Sequence, residues 1–342
     1  MPPEVGGTAG SKQSGYRLAI VNPLTLAGKE VQSILHERGI AYREVALVAT
    51  AEDETGSVTE LFDEAAYVQP AANETLSGFD VVFFCGPAEV NQPWIEKRED
   101  LGFIAVDLSV PSAGSSPSLF VAGVNDGQLK KETNLITCPH PIATPLILLL
   151  AKLREVTSVE LCAATVIQPA SVFGQQGIDE LLQQSINVLN IQGVSKEVFD
   201  RQLAFNLYPA VDGDRDRSTV VAQVNTVLDD LVPLALTIIQ GTTFHSHSFS
   251  LFVQTRGETG VAEITAALSQ AAGIRFADSA ESLSTLDAAG QDQVLIDAIK
   301  ADPEVDEGMW IWMVSDNLRR SSALNGVILA ENLLQRFYPA AQ

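Results

Sequence analysis

Short apolar runs separated by polar turns dominate the first part of the chain. Residues 16–21, Tyr-Arg-Leu-Ala-Ile-Val, form a run of strand length that ends in the turn Asn22-Pro23-Leu24-Thr25-Leu26-Ala27-Gly28. Val31, Ile34 and Leu35 then recur at helical spacing, which predicts a helix over 29–38 closed by Gly39. Further strands are expected at 44–49, at 79–85 after a polar loop, and at 103–107 after a helical stretch over 91–101. Strands that stay apolar without alternation, with helices between them, predict a parallel sheet covered on both faces.

Near residue 138 the texture changes. Leu135-Ile136-Thr137-Cys138-Pro139-His140-Pro141 reads as a strand entering a constrained turn, followed by an apolar helix over 142–153. Strands are expected at 159–168, 234–242 and 248–255, and helices at 177–189, 219–230 and 261–272. This mixture predicts an α+β domain. The division expected is a disordered tail over 1–15, a first domain over 16–138 and a second over 139–320. A last segment, 321–342, carries a helix over 321–337 that packs back on the first domain.

With 342 residues, 46% of them hydrophobic, and a mean hydropathy of +0.14, the chain has material for two cores, which excludes a disordered protein. Its 21 basic residues against 43 acidic ones give a formal charge of -22. Such a surface repels phosphate backbones and anionic lipid, so neither nucleic acid nor membrane is expected as a partner. A saline habitat is a second reading of the same acidity. Cys85, Cys138 and Cys162 are too few and too scattered for a disulfide framework and fit a reducing compartment. No signal peptide is read at the N-terminus, and the longest apolar run, 141–152, is too short to span a bilayer. The expectation is a cytoplasmic protein.

A strand–turn–helix at the start of a doubly wound sheet is where a Rossmann-like domain holds a dinucleotide, its glycines letting backbone approach the pyrophosphate. The turn here keeps one glycine, Gly28, while Asn22 is a residue able to take the left-handed conformation and Thr25 places a side chain where close approach is needed. A plain turn without phosphate is the competing reading. Cys85 and Cys162 read as small buried hydrophobes, whereas Cys138, beside a turn, is a candidate nucleophile. His245 and His247, two apart, share a face if their segment is a strand and are a candidate metal pair, although no third ligand lies nearby. His36 reads as solvated surface. His140, between two prolines, is either a general base or a capped loop residue, and with His247 it is a candidate acid/base pair.

The order of segments from Tyr16 to Phe337 resembles the aspartate-semialdehyde dehydrogenase family. The most specific marker is Ser315-Asp316-Asn317-Leu318-Arg319-Arg320-Ser321-Ser322-Ala323-Leu324-Asn325, close to the family's S-D-N-L-R-K-G-A-A-L-N. Gln202-Leu203-Ala204-Phe205-Asn206 matches I-A-F-N, Val124-Asn125 matches E-V-N, and Gln168 with Ser171 and Gly174 matches Q-A-x-S-G-A-G. More narrowly the chain is similar to the Usg-type homologues within that family. The resemblance implies a Rossmann-like NAD(P)-binding domain, a semialdehyde dehydrogenase-type second domain, and a homodimer formed through the latter. It also implies reduction of an acyl phosphate with NADPH through a cysteine thioester, a step of amino-acid biosynthesis in the aspartate pathway.

Carried over residue by residue, the resemblance is incomplete. Where the family has its nucleophile in N-P-N-C-S-T, this chain has His140 or Pro141, and Cys138 falls two or three residues early. His247 falls on the base position of R-V-P-V-F-x-G-H-S, and Gln240 replaces the substrate arginine of that segment. The phosphate-binding arginine is missing from Leu108-Ser109-Val110-Pro111-Ser112-Ala113. Of the family's G-A-T-G-x-V-G turn only Gly28 remains, so Asn22, Thr25, Gly28 and Asn317 are the residues left to meet an NADP or NAD. His247, Gln168, His140 and Cys138 are the candidate catalytic residues, and Gln240 the candidate substrate-binding one. No metal is expected. The resulting expectation is a family member without efficient parent activity, acting as a dimer that binds a small molecule or a protein. The alternative is an active NAD(P)-dependent oxidoreductase on an aldehyde or acyl phosphate.

Overall fold

The computed structural model describes residues 15–109, 118–229, 232–257, 259–277 and 282–339. The tail expected over 1–15 lies outside them except for Gly15, as does most of the 108–113 segment from 110 onward. The described residues pack as two compact units, one of residues 15–109, 118–139 and 322–339, the other of those within 140–321.

The first unit runs β1 (Tyr16–Val21), α1 (Leu26–Arg38), β2 (Tyr42–Ala49), β3 (Val58–Leu61), β4 (Glu64–Pro70), α2 (Asn73–Leu76), β5 (Val81–Phe84), α3 (Ala88–Ile95), α4 (Arg98–Leu101), β6 (Ile104–Asp107) and β7 (Leu135–Thr137). Its sheet has the order β3-β4-β2-β1-β5-β6-β7. Leu18 and Ile20 face a core completed by Val31, Ile34 and Leu35 of α1 and by Val327 and Leu333 of the C-terminal helix. Ala19 and Val21 face the opposite core, with Leu76, Ile95 and Phe103. Burial on both faces is why these strands show no polar alternation.

Two expectations need correction. The polar loop after β2 holds the antiparallel hairpin of β3 and β4, so the sheet is mixed rather than purely parallel. β3 is the edge strand and β4 lies between it and β2, and both are exposed along much of their length, which leaves no apolar run to read. The single helix expected over 91–101 is split into α3 and α4, because Glu96-Lys97-Arg98-Glu99-Asp100 has no apolar residue to bury.

The second unit runs α5 (Ala143–Arg154), β8 (Ser158–Gln168), α6 (Gly174–Leu189), β9 (Tyr208–Pro209), α7 (Gly213–Leu228), β10 (Leu234–Gln240), β11 (His247–Arg256), α8 (Val261–Ser269), β12 (Ile274–Phe276), α9 (Thr285–Ala288), β13 (Val294–Ala301) and β14 (Gly308–Ser315). A π-helical turn, Arg319–Ala323, then leads into α10 (Leu324–Phe337), which packs on α1, β6 and β7 in the first unit. The sheet order is β12-β13-β14-β11-β8-β10-β9. Residues alternate along it: Cys162, Ala164, Val166, Leu236, Ile238, Phe249, Leu251 and Val253 are buried beneath helices. Ala163, Thr165, Ala235, Thr237, Ser250, Phe252 and Trp310 occupy the other face, where Ala235 and Thr237 are exposed and Trp310 is 47% exposed. The α/β and α+β architecture is as the pattern predicts, with both sheets mixed.

Candidate functional site

Residues expected at a cofactor turn lie in the first unit. Asn22 takes φ 58, and its side chain is nearly fully buried. Its Nδ2 donates to the Cys85 carbonyl and to Asn91 Oδ1, both at 3.0 Å, while its Oδ1 accepts from Thr50 N at 3.0 Å and Thr50 Oγ1 at 2.8 Å. Thr25 is the N-cap of α1, its Oγ1 accepting from Gly28 N at 3.1 Å. Gly28 is required by packing: a Cβ there would lie 2.5 Å from the Asn22 carbonyl oxygen and 2.8 Å from Pro23. These side chains occupy the space over the turn, since a Cβ on Gly86 would meet Thr25 Cγ2 at 3.4 Å and Asn22 Nδ2 at 3.5 Å. A turn whose asparagine is fully engaged, and whose threonine and asparagine side chains stand where a dinucleotide pyrophosphate needs bare backbone, fits that group poorly.

Cys138 also belongs to the first unit, just after β7. It is 3% exposed in the core, its Sγ receiving a long hydrogen bond of 3.4 Å from Asn325 Nδ2. Burial pushes its thiol up to about 12 despite that bond. Cys85 and Cys162 are buried and free as well, and burial raises both. Nothing here favours a thiolate.

In the second unit the turn into α5 is organised by His140. Its backbone N donates to Gln223 Oε1 at 2.7 Å, and its carbonyl accepts from Ala143 N at 2.7 Å and Thr144 N at 3.1 Å. Its Nδ1 accepts from Ile142 N at 3.0 Å. The imidazole therefore takes up the Ile142 N–H and the His140 carbonyl takes up the first two N–H groups of α5, donors that would otherwise face an anion. Burial draws its pKa down to about 4. His247 opens β11 with no exposure, and neither ring nitrogen has a hydrogen-bond partner among the described residues. Burial, with the nearby His140 adding to it, draws His247 down to about 3. His245 does not share its face: Ser246 takes φ 71 and β11 begins only at His247, so the alternation expected for a strand pair fails. No group of three metal-ligating side chains occurs among the described residues.

The parallel strands β8 and β10 end side by side at Gln168 and Gln240. Gln168 Nε2 donates to Gln240 Oε1 at 2.8 Å, and Gln240 Nε2 donates to the carbonyls of Gly241 at 3.1 Å and Gln168 at 3.3 Å. Asn317 is buried too, its Oδ1 accepting from Ser246 N at 3.0 Å and its Nδ2 donating to Ser171 Oγ at 3.1 Å. The neighbouring Asp316 caps the following turn through Leu318 N and Arg319 N, both at 2.8 Å, and binds Gly290 N at 2.7 Å. Sequence reasoning missed Gln223, whose only signal is an amide on the apolar stripe of Val220 and Val224.

The cluster around His140, Gln168, Gln240 and His247 is thus buried, neutral and rich in amides. It can hydrogen-bond a polar group, and these four residues bring neither a guanidinium nor a thiol to it. A family model described as semialdehyde dehydrogenase, dimerisation domain, matches residues 150–320, half of the chain. A USG-1 protein homolog of Pseudomonas aeruginosa is 27% identical over 94% of this chain and 98% of its own. The aspartate-semialdehyde dehydrogenase of Rickettsia bellii is 25% identical with the same coverage. The solved structure of a probable aspartate-semialdehyde dehydrogenase from Pseudomonas aeruginosa superimposes with a TM-score of 0.88 at 27% identity, covering 95% of this chain and 99% of that one. The chain belongs to the semialdehyde dehydrogenase family, among the homologues of aspartate-semialdehyde dehydrogenase and the USG-1 proteins.

Proposed function

We propose that this protein is a binding member of the family that has lost the parent dehydrogenase chemistry and works as a homodimer. The observation that carries the reading is the state of the turn into α5. His140 or Pro141 stands where the resemblance places the nucleophile, the His140 ring being engaged by the Ile142 N–H, and Cys138, two residues before His140, is buried with its thiol at about 12. An acyl-transfer step needs a thiolate to attack the carbonyl and a base poised near neutral pH. Here the thiol stays protonated, and the surviving base, His247, is held neutral by burial.

Loss of the charged clamp agrees. Gln240 has no charge to offer a carboxylate, and its amide is already engaged. The turn at Asn22, Thr25 and Gly28 is filled by its own side chains, so NADP and NAD are expected to bind weakly. What remains is a rigid scaffold with a neutral hydrogen-bonding cluster, suited to a small ligand.

The exposed face with Thr165, Ser250, Phe252 and Trp310 is the surface that a second copy covers. Phe252 and Trp310 meet edge to face at 5.2 Å there, an aromatic pair left open in the single chain. Sedimentation at micromolar concentration is expected to show a dimer that Trp310→Asp converts to the 36.6 kDa monomer. The chemical claim is tested by assaying purified protein with aspartate semialdehyde, phosphate and NADP. No turnover above background is expected, and an ordinary enzymatic rate overturns the proposal.

A further inference from the structure

Helix α6 buries the side that carries Gly177, Leu181 and Gln184, where Leu181 joins a small core with Phe199, Leu203 and Tyr208. Its other side is apolar as well. Leu182, Ile186 and Leu189 recur at i, i+4 and i+7 and are 50%, 45% and 74% exposed. A surface helix ordinarily turns charged residues outward, and this chain has 43 acidic ones to place. Yet the one exposed charge of α6 is Asp179, which accepts from Gln175 Nε2 at 2.8 Å beside the stripe.

The end of the helix makes the same choice against a local cost. Gln192 N donates to the Asn187 carbonyl at 2.8 Å and Ile191 N to that of Val188 at 3.1 Å, the pair of bonds that closes a helix on a left-handed residue. Glycine suits that position, but here it holds Ile191, at φ 57 and 96% exposed. A β-branched side chain held on strained backbone and left in water gains nothing within the single chain. Its cost is offset where something covers it.

The occupant that fits is a second copy of this chain. Copies with a formal charge of -22 repel one another except where a face carries no charge, and this stripe is such a face. A stripe at i, i+4 and i+7 packs against its own image about a two-fold axis, ridges into grooves. The four exposed aliphatic side chains, doubled by the axis, bury on the order of 1,000 Å², the lower end for a specific contact.

We propose that α6 and Ile191 form a second contact between copies, apart from the open sheet face, through which dimers pair weakly into tetramers. The contact forms above about 0.1 mM, in keeping with its small size.

The test is sedimentation velocity of the full-length protein from about 1 μM to about 0.5 mM. The mean mass of the parent is expected to double over that range, and Leu182→Asp with Ile186→Asp to abolish the rise. Trp310→Asp, in the sheet face, separates the two contacts. That variant should pass from monomer to dimer over the same range, and should fail to do so once the α6 changes are added. Ile191→Gly should weaken the pairing at least about threefold, while its urea midpoint stays at or above the parent's because glycine relieves the left-handed residue. A damaged fold cannot produce that combination. A parent mass that stays constant, or α6 variants that rise like the parent, overturns the proposal; coverage of α6 by another protein or by lipid gives the same constant mass. Should Trp310→Asp change nothing while the α6 changes still abolish the rise, the sheet-face reading fails and this one stands, so the two failures are distinguishable.

Discussion

Gln168 and Gln240, side by side at the ends of two parallel strands, are joined by one amide bond: the amide nitrogen of the first donates to the amide oxygen of the second across 2.8 Å, while Gln168 Oε1 is buried without a partner among the described residues. Both are almost wholly buried. On the proposed reading the pair stands where an ionic clamp would be, and the Gln240 amide nitrogen, already bonded to two carbonyls, has little left for a carboxylate. Gln168→Leu is expected to cost about 1–3 kcal/mol by leaving a buried carbonyl without its donor. Adding Gln240→Leu should cost less than the sum of the single changes, by at least about 0.5 kcal/mol, in a urea-unfolding double-mutant cycle.

Acid should destabilise the fold through two histidines. In the unfolded chain His140 and His247 titrate near 6.5, whereas burial holds them at about 4 and about 3 in the folded protein. Above pH 6.5 neither state carries the proton and the pair contributes no pH dependence. Below it the unfolded chain binds protons that the folded chain refuses, so stability falls from pH 6.5 down to about 4, by on the order of 3 kcal/mol for His140 at the low end. Urea midpoints measured at successive pH values report this slope, and His247→Gln should roughly halve it.

The thiols should be inert in the native state. With Cys138 and Cys162 at about 12 and Cys85 raised by burial, iodoacetamide at pH 7 is expected to leave all three unmodified by mass spectrometry. Denaturant should expose all three at once. Fast selective labelling of Cys138 would support the alternative of a relocated nucleophile.

At the α1 turn, packing and cofactor binding can be separated. Gly28→Ala places a methyl 2.5 Å from a carbonyl oxygen and should destabilise by roughly 1–3 kcal/mol, without NADP present. Thr25→Ala should cost about 1 kcal/mol through loss of the cap. NADP titrated into the parent protein is expected to show no saturable binding below the millimolar range, and neither variant should alter that result.

Much of the fold was legible because burial on both sheet faces leaves plain apolar runs, as at Leu18 to Val21 and Val81 to Phe84. The hairpin of β3 and β4 was hidden because most of its residues face solvent, only Leu61, Ala66 and Val68 being buried. The left-handed Asn22 was readable from residue type, whereas the left-handed Ser246, which separates His245 from His247, was not. At the candidate site, the altered residue types could be read against a familiar motif. What they do could not: that His140 caps a helix depends on Ile142 folding back toward its imidazole, and that Gln223 holds His140 depends on a contact 83 positions away.

Intact-mass spectrometry after incubation with aspartyl phosphate tests the loss of acyl chemistry most directly. An unchanged mass, with all three cysteines recovered as free thiols, is the predicted result. A stoichiometric acyl adduct on any cysteine, released by NADPH, would contradict it.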